Sequence, residues 1–333
     1  MSVAEQLAAL REGAAVAAPD LRAVVGVSGP DTLDWLERLV SAPVKDLPAG
    51  CCRWATLMDG KGKLRADLRL IRPPGGEWLL EIPASHAPAL LRVLDMYILR
   101  DRVELQDRTA SHGFVALLGP RAGDVLAACG LPRPEACGGD GAVAAGGDGA
   151  VGAPGVLVMP SRLYGAPGFD LLLPAAGREA LRARLVAAGA VPVERTALQI
   201  ARLEHGVPWF AEDLADNVIP LEAGLDDHVS ITKGCYPGQE VVARISNLGQ
   251  VARKLVRLTA EWSGGAPPEL AAGVLTGTGE HAGKEAGKLT SLAHDETRRR
   301  TVALGFARRA FWAPGTRLAA GAVELQVEGD ARG

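Results

Sequence analysis

The chain has 333 residues and a formal net charge of −3, and 48% of its residues are hydrophobic while only 4% are aromatic. This length exceeds what one hydrophobic core normally spans, so we expect two or three packed units with mainly aliphatic cores. The near-neutral charge excludes the strongly basic surface that non-specific nucleic-acid binding requires.

The first part of the chain predicts alternating strands and helices. Strand-like runs lie at 24–28, 54–58, 64–71, 78–82 and 114–118, and helical patterns at 31–40, 87–98 and 121–128. Asp59-Gly60, between two of the strand-like runs, is a typical hairpin signal. The order strand, Gly-Pro, helix occurs at Gly29-Pro30 and again at Gly119-Pro120. This recurrence suggests an internal duplication.

The composition and the predicted secondary structure change in the second part of the chain. Residues 132–155 are mostly Gly, Ala, Pro and Asp, which predicts a flexible surface loop. Strands are predicted at 156–159 and 169–173 and helices at 178–188 and 196–204. After residue 244, short β-like runs at 251–258, 289–293, 301–306 and 323–327 predict a small antiparallel barrel or sandwich.

The N-terminus and the cysteines indicate a cytoplasmic protein. Residues 1–18 lack a basic stretch followed by an apolar run, and no segment has the length of a membrane span. The five cysteines form no C-x-x-C pair and no zinc-like Cys/His spacing. We therefore expect a soluble protein with no membrane contact, no metal site and no disulfide framework.

The octapeptide K-G-C-Y-P-G-Q-E at residues 233–240 concentrates reactive groups on a turn. Its two glycines allow a ligand or a second backbone to approach closely. Lys233, as a nearby cation, favours the thiolate form of Cys235 and so predicts a lowered pKa for this thiol. A free cysteine is also among the most buried residue types, so a purely structural thiol is the alternative.

Charged residues elsewhere have plainer interpretations. Asp67 alternates with Arg65 and Arg69 on one face of a predicted strand, and we interpret that face as solvated. The run Arg298-Arg299-Arg300 is interpreted as a solvated turn before the next strand rather than a nucleic-acid contact.

Glu204 ends a predicted helix and is followed closely by Trp209 and Phe210. One interpretation is a solvated helix end, since charged residues usually lie outside. The other is a buried carboxylate that accepts two N–H bonds from a planar amino-heterocycle such as a pterin or guanine, with the aromatic rings as walls. His205, beside it, is interpreted as structural.

With these residues in hand, the chain resembles the YgfZ family of folate-binding proteins that support iron–sulfur proteins. That family is related to the glycine-cleavage T protein, an aminomethyltransferase. The resemblance rests first on the octapeptide, which looks like the family signature, and on Arg244 after it. It extends upstream through a segment from Arg202 to Leu225 that looks like the family's folate-facing segment, and it covers nearly the whole chain.

The resemblance implies an α+β fold in a T-protein-like, three-part arrangement around a central folate cleft, with a C-terminal small antiparallel β-barrel. Residues 1–240 would form an interleaved α+β folate-binding region of two subdomains, including the flexible loop at 132–155. Residues 241–333 would form the barrel domain.

The resemblance also implies functional residues. Glu204 would hold the pterin ring of tetrahydrofolate or a derivative, and Asp67 and Tyr164 would line the same cleft. Cys235, with Lys233, is the candidate catalytic group and would contact an iron–sulfur cluster transiently or exchange thiols. The further candidates for cofactor binding are Arg202, Tyr236, Gln239 and Arg244.

The implied function is support of iron–sulfur cluster assembly or repair and, through it, of tRNA-modifying or other cluster enzymes. The partners would be a folate and iron–sulfur client or carrier proteins. The alternative function is that of an aminomethyltransferase or other one-carbon transferase, and one difference from T proteins bears on it. T proteins carry two adjacent acids where this chain has Ala66-Asp67, and losing one carboxylate argues against aminomethyl transfer. A folate-binding or scaffold module without chemistry is the third possibility.

Overall fold

The computed structural model describes residues 1–134, 143–145, 155–249, 251–263 and 266–332. Its helices are α1 Val3–Glu12, α2 Thr32–Leu39, α3 Ala87–Met96, α4 Ala122–Ala128, α5 Arg178–Ala187, α6 Arg195–Glu204 and α7 Gln239–Leu248. None of these helices is long and apolar enough to cross a membrane. Most of the predicted loop at 132–155 lies outside the described residues.

The strands of the two open sheets are β1 Ala15–Ala17, β2 Arg22–Ser28, β3 Cys51–Met58, β4 Leu64–Arg72, β5 Trp78–Pro83, β6 Glu104–Asp107, β7 His112–Leu118, β8 Val143–Ala145, β9 Val156–Pro160, β10 Gly168–Pro174 and β11 Val191–Pro192. The C-terminal strands are β12 Arg253–Glu261, β13 Gly273–Gly277, β14 Glu285–Asp295, β15 Arg300–Arg308, β16 Arg317–Ala320 and β17 Val323–Asp330.

The two open sheets are built in the same way. The first has the strand order β3-β4-β5-β2-β6, and the second has β8-β9-β10-β7-β1-β11. In each unit the chain runs strand, helix, three strands, a 3-10 turn, helix and strand, and the second sheet differs by the insertion of β1 next to β7. The duplication suggested by the sequence is confirmed.

The two Gly-Pro turns serve the same purpose in both units. Gly29 has φ +116°, and a Cβ on it would lie 2.1 Å from the carbonyl oxygen of Arg102. Gly119 has φ +102°, and its Cβ would lie 2.4 Å from the carbonyl oxygen of Gly13. At both turns a second backbone passes so close that only glycine fits.

The sheets pack face to face, and the helices cover their outer faces. Apolar side chains from both sheets meet between them, among them Val24 and Ile71 from the first sheet and Met159 and Leu172 from the second. The outer face of the first sheet packs on α2 and α3, and that of the second on α4 and α5. The described part of the two sheets and helices α2 to α5 therefore forms a four-layer structure with its buried plane between the sheets.

The C-terminal strands close into a six-stranded antiparallel barrel with the order β12-β15-β14-β13-β16-β17. This confirms the barrel predicted for the C-terminal part of the chain. Leu255 and Phe306 from the barrel share a core with Leu198 and Ala201 of α6 and with Leu7 of α1. Helix α6 thus lies where the barrel meets the rest of the protein.

Cys129 and Cys235 are free cysteines. Cys51 is disulfide-bonded, so the expectation of a chain without disulfides is wrong at this position.

His228 is buried beneath Trp54, with ring centroids 5.3 Å apart and ring planes 13° from parallel. Burial, reinforced by the positive charge of Arg332, lowers the pKa of His228 to about 3, so the ring is neutral. Its Nε2 lies 3.1 Å from Nη1 of Arg332. Because a guanidinium only donates, Nε2 accepts this bond and the ring proton is on Nδ1.

This burial predicts a dependence of stability on pH. An unfolded histidine titrates near 6.5, so below that pH the unfolded chain binds one proton more than the folded chain, and the free energy of unfolding falls as pH falls. For His228 this loss is about 1.4 kcal/mol at a pH one unit below 6.5. Urea unfolding of wild type and His228→Asn near pH 8 and pH 5.5 measures the difference.

The exposed His281 provides the control. His281→Asn should keep the wild-type loss of stability, whereas His228→Asn should lose about 1.4 kcal/mol less than wild type over the same interval. Equal losses in wild type and His228→Asn would contradict a neutral, buried His228.

Candidate functional site

Five charged side chains form a buried network between the two sheets. Arg22 on β2 bonds Asp67 Oδ2 and Glu81 Oε1, each at 3.1 Å. Arg69 on β4 pairs with Glu81 on β5 and reaches Asp170 Oδ2 on β10 at 3.0 Å. This last bond joins the first sheet to the second. Because each charge has a partner, the network offsets part of the cost of burying charge.

The interpretation of this strand face as solvated is wrong. The exposed fraction is 6% for Asp67 and 0% for Arg69, and only Arg65, near the hairpin turn, is partly exposed. The sequence did carry a signal for this burial. Glu81 and Asp170 each lie inside an apolar strand, and such acids need buried cationic partners.

Three carboxylates share two guanidiniums in this network, and the imbalance appears at Asp170. Burial raises the pKa of Asp170 to about 6, even though the nearby Arg69 guanidinium acts to lower it. Burial also raises the pKa of the Tyr164 hydroxyl well above its usual value, with Asp170 and Glu81 adding to the effect. Tyr164 is therefore a neutral, buried phenol.

Asp67 lines a cavity of about 460 Å³ together with Arg22. Its Oδ2 bonds Arg22, but its Oδ1 is buried and has no hydrogen-bond partner. A buried carboxylate oxygen without a donor is costly. Oδ1 therefore lacks, among the described residues, the donor that a ligand in this cavity could supply.

The side wall of the cavity is aromatic and firmly held. Trp209 donates from Nε1 to the carbonyl oxygen of Leu163 at 2.6 Å, and its ring meets Tyr164 edge-on at 6.1 Å. Phe210 lines the cavity beside Trp209. Tyr164 is thus behind the wall and supports it, in place of the cleft-lining position that the resemblance implied.

Arg202 also acts behind this wall. Its guanidinium is fully buried, bonds Asp213 at 2.6 Å and Glu212 at 2.7 Å, and lies 4.6 Å from the centre of the Trp209 ring. Arg202 does not line the cavity. Arg195, which the sequence analysis did not single out, does line it, and its side chain is 63% exposed and pairs with Glu212.

Ala66 points away from the cavity. Side chains alternate along a strand, and Ala66 packs among Leu68 and Leu70 in the apolar core on the helix-covered face of the first sheet. An acid at position 66 would enter that core and not the cavity. The alanine at position 66 therefore removes no carboxylate from the cavity. Contrary to our inference from the sequence, this difference from T proteins does not argue against aminomethyl transfer.

Glu204 lies in a different place from the one implied. It is absent from the lining of the 460 Å³ cavity and forms part of a second one. Its carboxylate is 8% exposed and pairs with Arg11 at 2.7 Å, Arg300 at 2.8 Å and Arg298 at 3.3 Å. Three arginines therefore already occupy most of the acceptor capacity of this carboxylate.

The ammonium of Lys233 has a structural task. Nζ donates to the carbonyl oxygens of Glu37, Val40 and Ala42 at 2.7, 2.8 and 2.8 Å, at the C-terminal end of α2 and in the turn after it. Burial lowers the pKa of Lys233. We predicted from their adjacency in sequence that Lys233 activates Cys235. In the structure, Lys233 instead caps a helix whose last carbonyls need donors.

The rest of the octapeptide supports this loop. Tyr236 donates its hydroxyl to the Ser230 carbonyl at 2.6 Å, and Gln239 donates to the Lys233 carbonyl at 3.0 Å. Gly238 has φ +83°, and its Cβ would lie 2.7 Å from Cα of Gly62 in the β3–β4 hairpin. The close backbone approach predicted for the glycines is confirmed at this position.

Cys235 is exposed on this fixed loop, and so is Arg244 on α7. The structure therefore excludes the alternative of a buried, structural thiol. Neither residue lines the 460 Å³ cavity, and neither do Tyr236 and Gln239. Within the described ranges, no group of three or more His, Cys, Asp and Glu side chains is arranged to hold a metal ion.

Comparison with known proteins agrees with the fold. An aminomethyltransferase of Moorella thermoacetica is 30% identical over 312 residues, which is 92% of this chain and 80% of that protein. The "iron-sulfur cluster assembly factor IBA57 homolog, mitochondrial" of Mycosarcoma maydis is 29% identical over 266 residues, covering 74% of this chain and 57% of that protein.

Among solved structures, the glycine cleavage system aminomethyltransferase T of Bartonella henselae superposes with a TM-score of 0.81 at 21% identity, covering 98% of this chain and 88% of that chain. The likeness shows the T-protein-like fold. The family model described as the GCVT N-terminal domain matches residues 1–233. The chain therefore belongs to the GCVT-domain family.

Proposed function

We propose that this protein binds a reduced folate in the 460 Å³ cavity and supports the assembly or repair of iron–sulfur clusters through Cys235. The observation that carries the folate site is that Asp67 lines a partly aromatic cavity and that its buried Oδ1 has no hydrogen-bond partner among the described residues. Cavities of this volume commonly hold ligands of such a size.

The lining fits the pterin ring and the glutamate carboxylates of a folate. Oδ1 of Asp67 would accept an N–H bond from the pterin, and Phe210 and Trp209 offer apolar surface to the ring system. The exposed guanidinium of Arg195 lies on the same lining and suits the glutamate carboxylates. A bound reduced folate supplies nitrogen atoms that carry a one-carbon unit.

The role proposed for Cys235 rests on where its loop holds it. The thiol is exposed, the loop around it is hydrogen-bonded to the end of α2 and packed against the β3–β4 hairpin, and Cys235 does not line the cavity. A thiol presented in this way suits contact with a partner protein more than contact with the folate. The printed name of the fungal relative, a cluster assembly factor, supports the same direction.

An aminomethyl or other one-carbon transferase is the second candidate. Asp67 gives the cavity a carboxylate, and position 66 would not have contributed another one. The Moorella thermoacetica relative is itself named an aminomethyltransferase. Formation of methylene-tetrahydrofolate from an aminomethyl donor by the purified protein would favour this candidate.

Two substitutions determine which acid holds the pterin. Asp67→Asn removes the charge that an N–H group of the ligand would meet, so we expect tetrahydrofolate affinity to fall about tenfold or more in calorimetric titration. Glu204→Gln is the matched control, since Glu204 lies outside this cavity, and it should leave the affinity unchanged. Weakened binding in Glu204→Gln with wild-type binding in Asp67→Asn would reverse the assignment.

Replacing the exposed thiol separates the two parts of the proposal. Cys235→Ser should retain tetrahydrofolate affinity, because Cys235 does not line the cavity, while cells that carry only this variant should lose activity of their iron–sulfur enzymes. The measurements are titration of the purified variant and the activity of a cluster enzyme in deletion cells rescued by wild type or variant. Full rescue by Cys235→Ser would refute the thiol's role and leave the folate site standing.

A further inference from the structure

A second cavity, of about 380 Å³, lies between α1, the end of α6 and the barrel. One side is apolar and includes Leu7, Leu10 and Pro167. The other side carries the guanidinium groups of four arginines that come from three parts of the chain, namely Arg11, Arg257, Arg298 and Arg300. This cavity shares no lining residue with the 460 Å³ cavity, so what it binds is independent of the folate site.

The acids near these arginines are too few to neutralise them. Of the described residues on the lining, Glu204 is the one with a carboxylate, and it pairs with Arg11, Arg298 and Arg300. Asp295, fully buried behind the lining, pairs with Arg11. Two carboxylates therefore face four guanidiniums, and the cavity retains a net positive charge.

Arg257 carries most of this excess. Among the described residues, no carboxylate lies within 4.0 Å of its guanidinium, and its bond is a long one, 3.4 Å from Nη1 to the carbonyl oxygen of Glu204. Its Nε is buried without any partner, and so is Nε of Arg300. Burying charged donors without an acceptor is costly, and an anion is the group that would offset this cost.

The side chain of Arg257 is held in position. A Cβ at Gly206, which has φ +71°, would lie 2.9 Å from Cδ of Arg257, so the glycine at the end of α6 leaves room for the arginine to pass. The C-terminal dipole of α6 favours a cation at this point, which explains the bond to the Glu204 carbonyl. The helix dipole does not provide a hydrogen-bond acceptor for Nε of Arg257.

We propose that this cavity binds a small organic oxyanion, with a phosphate or carboxylate group against Arg257 and Arg300 and an apolar part against Leu7 and Leu10. The planar fork of a guanidinium pairs with either kind of oxyanion through two parallel N–H bonds. The apolar side of the cavity favours an anion that carries a carbon skeleton over a bare inorganic ion.

The test titrates the full chain with phenyl phosphate and with benzoate, at an ionic strength held constant with sodium chloride. Saturable binding of at least one probe is expected, and the tighter probe identifies the head group. Arg257→Gln should weaken that binding about tenfold or more. Arg317→Gln, on the exposed side of β16, is the matched control and should bind as wild type does.

A second pair of variants guards against loss of folding. Arg298 is 52% exposed, so Arg298→Gln should fold even if Arg257→Gln does not, and it too should weaken binding. Glu204→Gln removes the acid that competes for three arginines and should strengthen binding, an effect that a purely structural ion-pair cluster would not produce. Absence of saturable binding by wild type, or wild-type affinity in both arginine variants, would overturn the proposal.

Discussion

The bond between Arg69 and Asp170 constrains the rest of the structure. It crosses from one sheet to the other at a point where water is excluded, and Glu81 and Arg22 continue the network to Asp67. A buried charge that loses its partner lowers the stability of the fold far more than an unpaired charge that is exposed to water. The two duplicated units are therefore fixed relative to each other by charge as well as by apolar contact, and the cavity beside Asp67 inherits its polarity from this network.

Helix α6 divides the chemistry of the protein into two separate places. On one side, Arg202 holds Glu212 and Asp213 behind the aromatic wall of the first cavity. At its C-terminal end, Glu204 binds the arginines of the second cavity. Two residues only two positions apart thus serve different cavities, since neighbours at that spacing do not share a helix face. The resemblance implied one folate-facing segment from Arg202 to Leu225, but Arg202 and Glu204 in this segment have separate roles.

The fold was more predictable than the site. Repeated strand, Gly-Pro, helix units and alternating C-terminal strands follow from local chemistry, and they anticipated both the duplicated sheets and the closed barrel. The octapeptide was also recognisable, but the partners of Lys233 lie in α2, where adjacency in sequence gives no information. Likewise, the buried charge of Asp67 is paired with Arg22 from another strand, and no local pattern around Asp67 encodes this pairing.

The bonds from Lys233 to the end of α2 join residues that are 191 to 196 positions apart in the chain. During synthesis, α2 emerges long before the octapeptide and its last carbonyls stay without these donors until Lys233 arrives. The loop that exposes Cys235 can take its final form only after nearly the whole first two units exist. Display of the thiol therefore depends on α2 and the β3–β4 hairpin being folded, and a chain in which either is unfolded would not present it to a partner in this geometry.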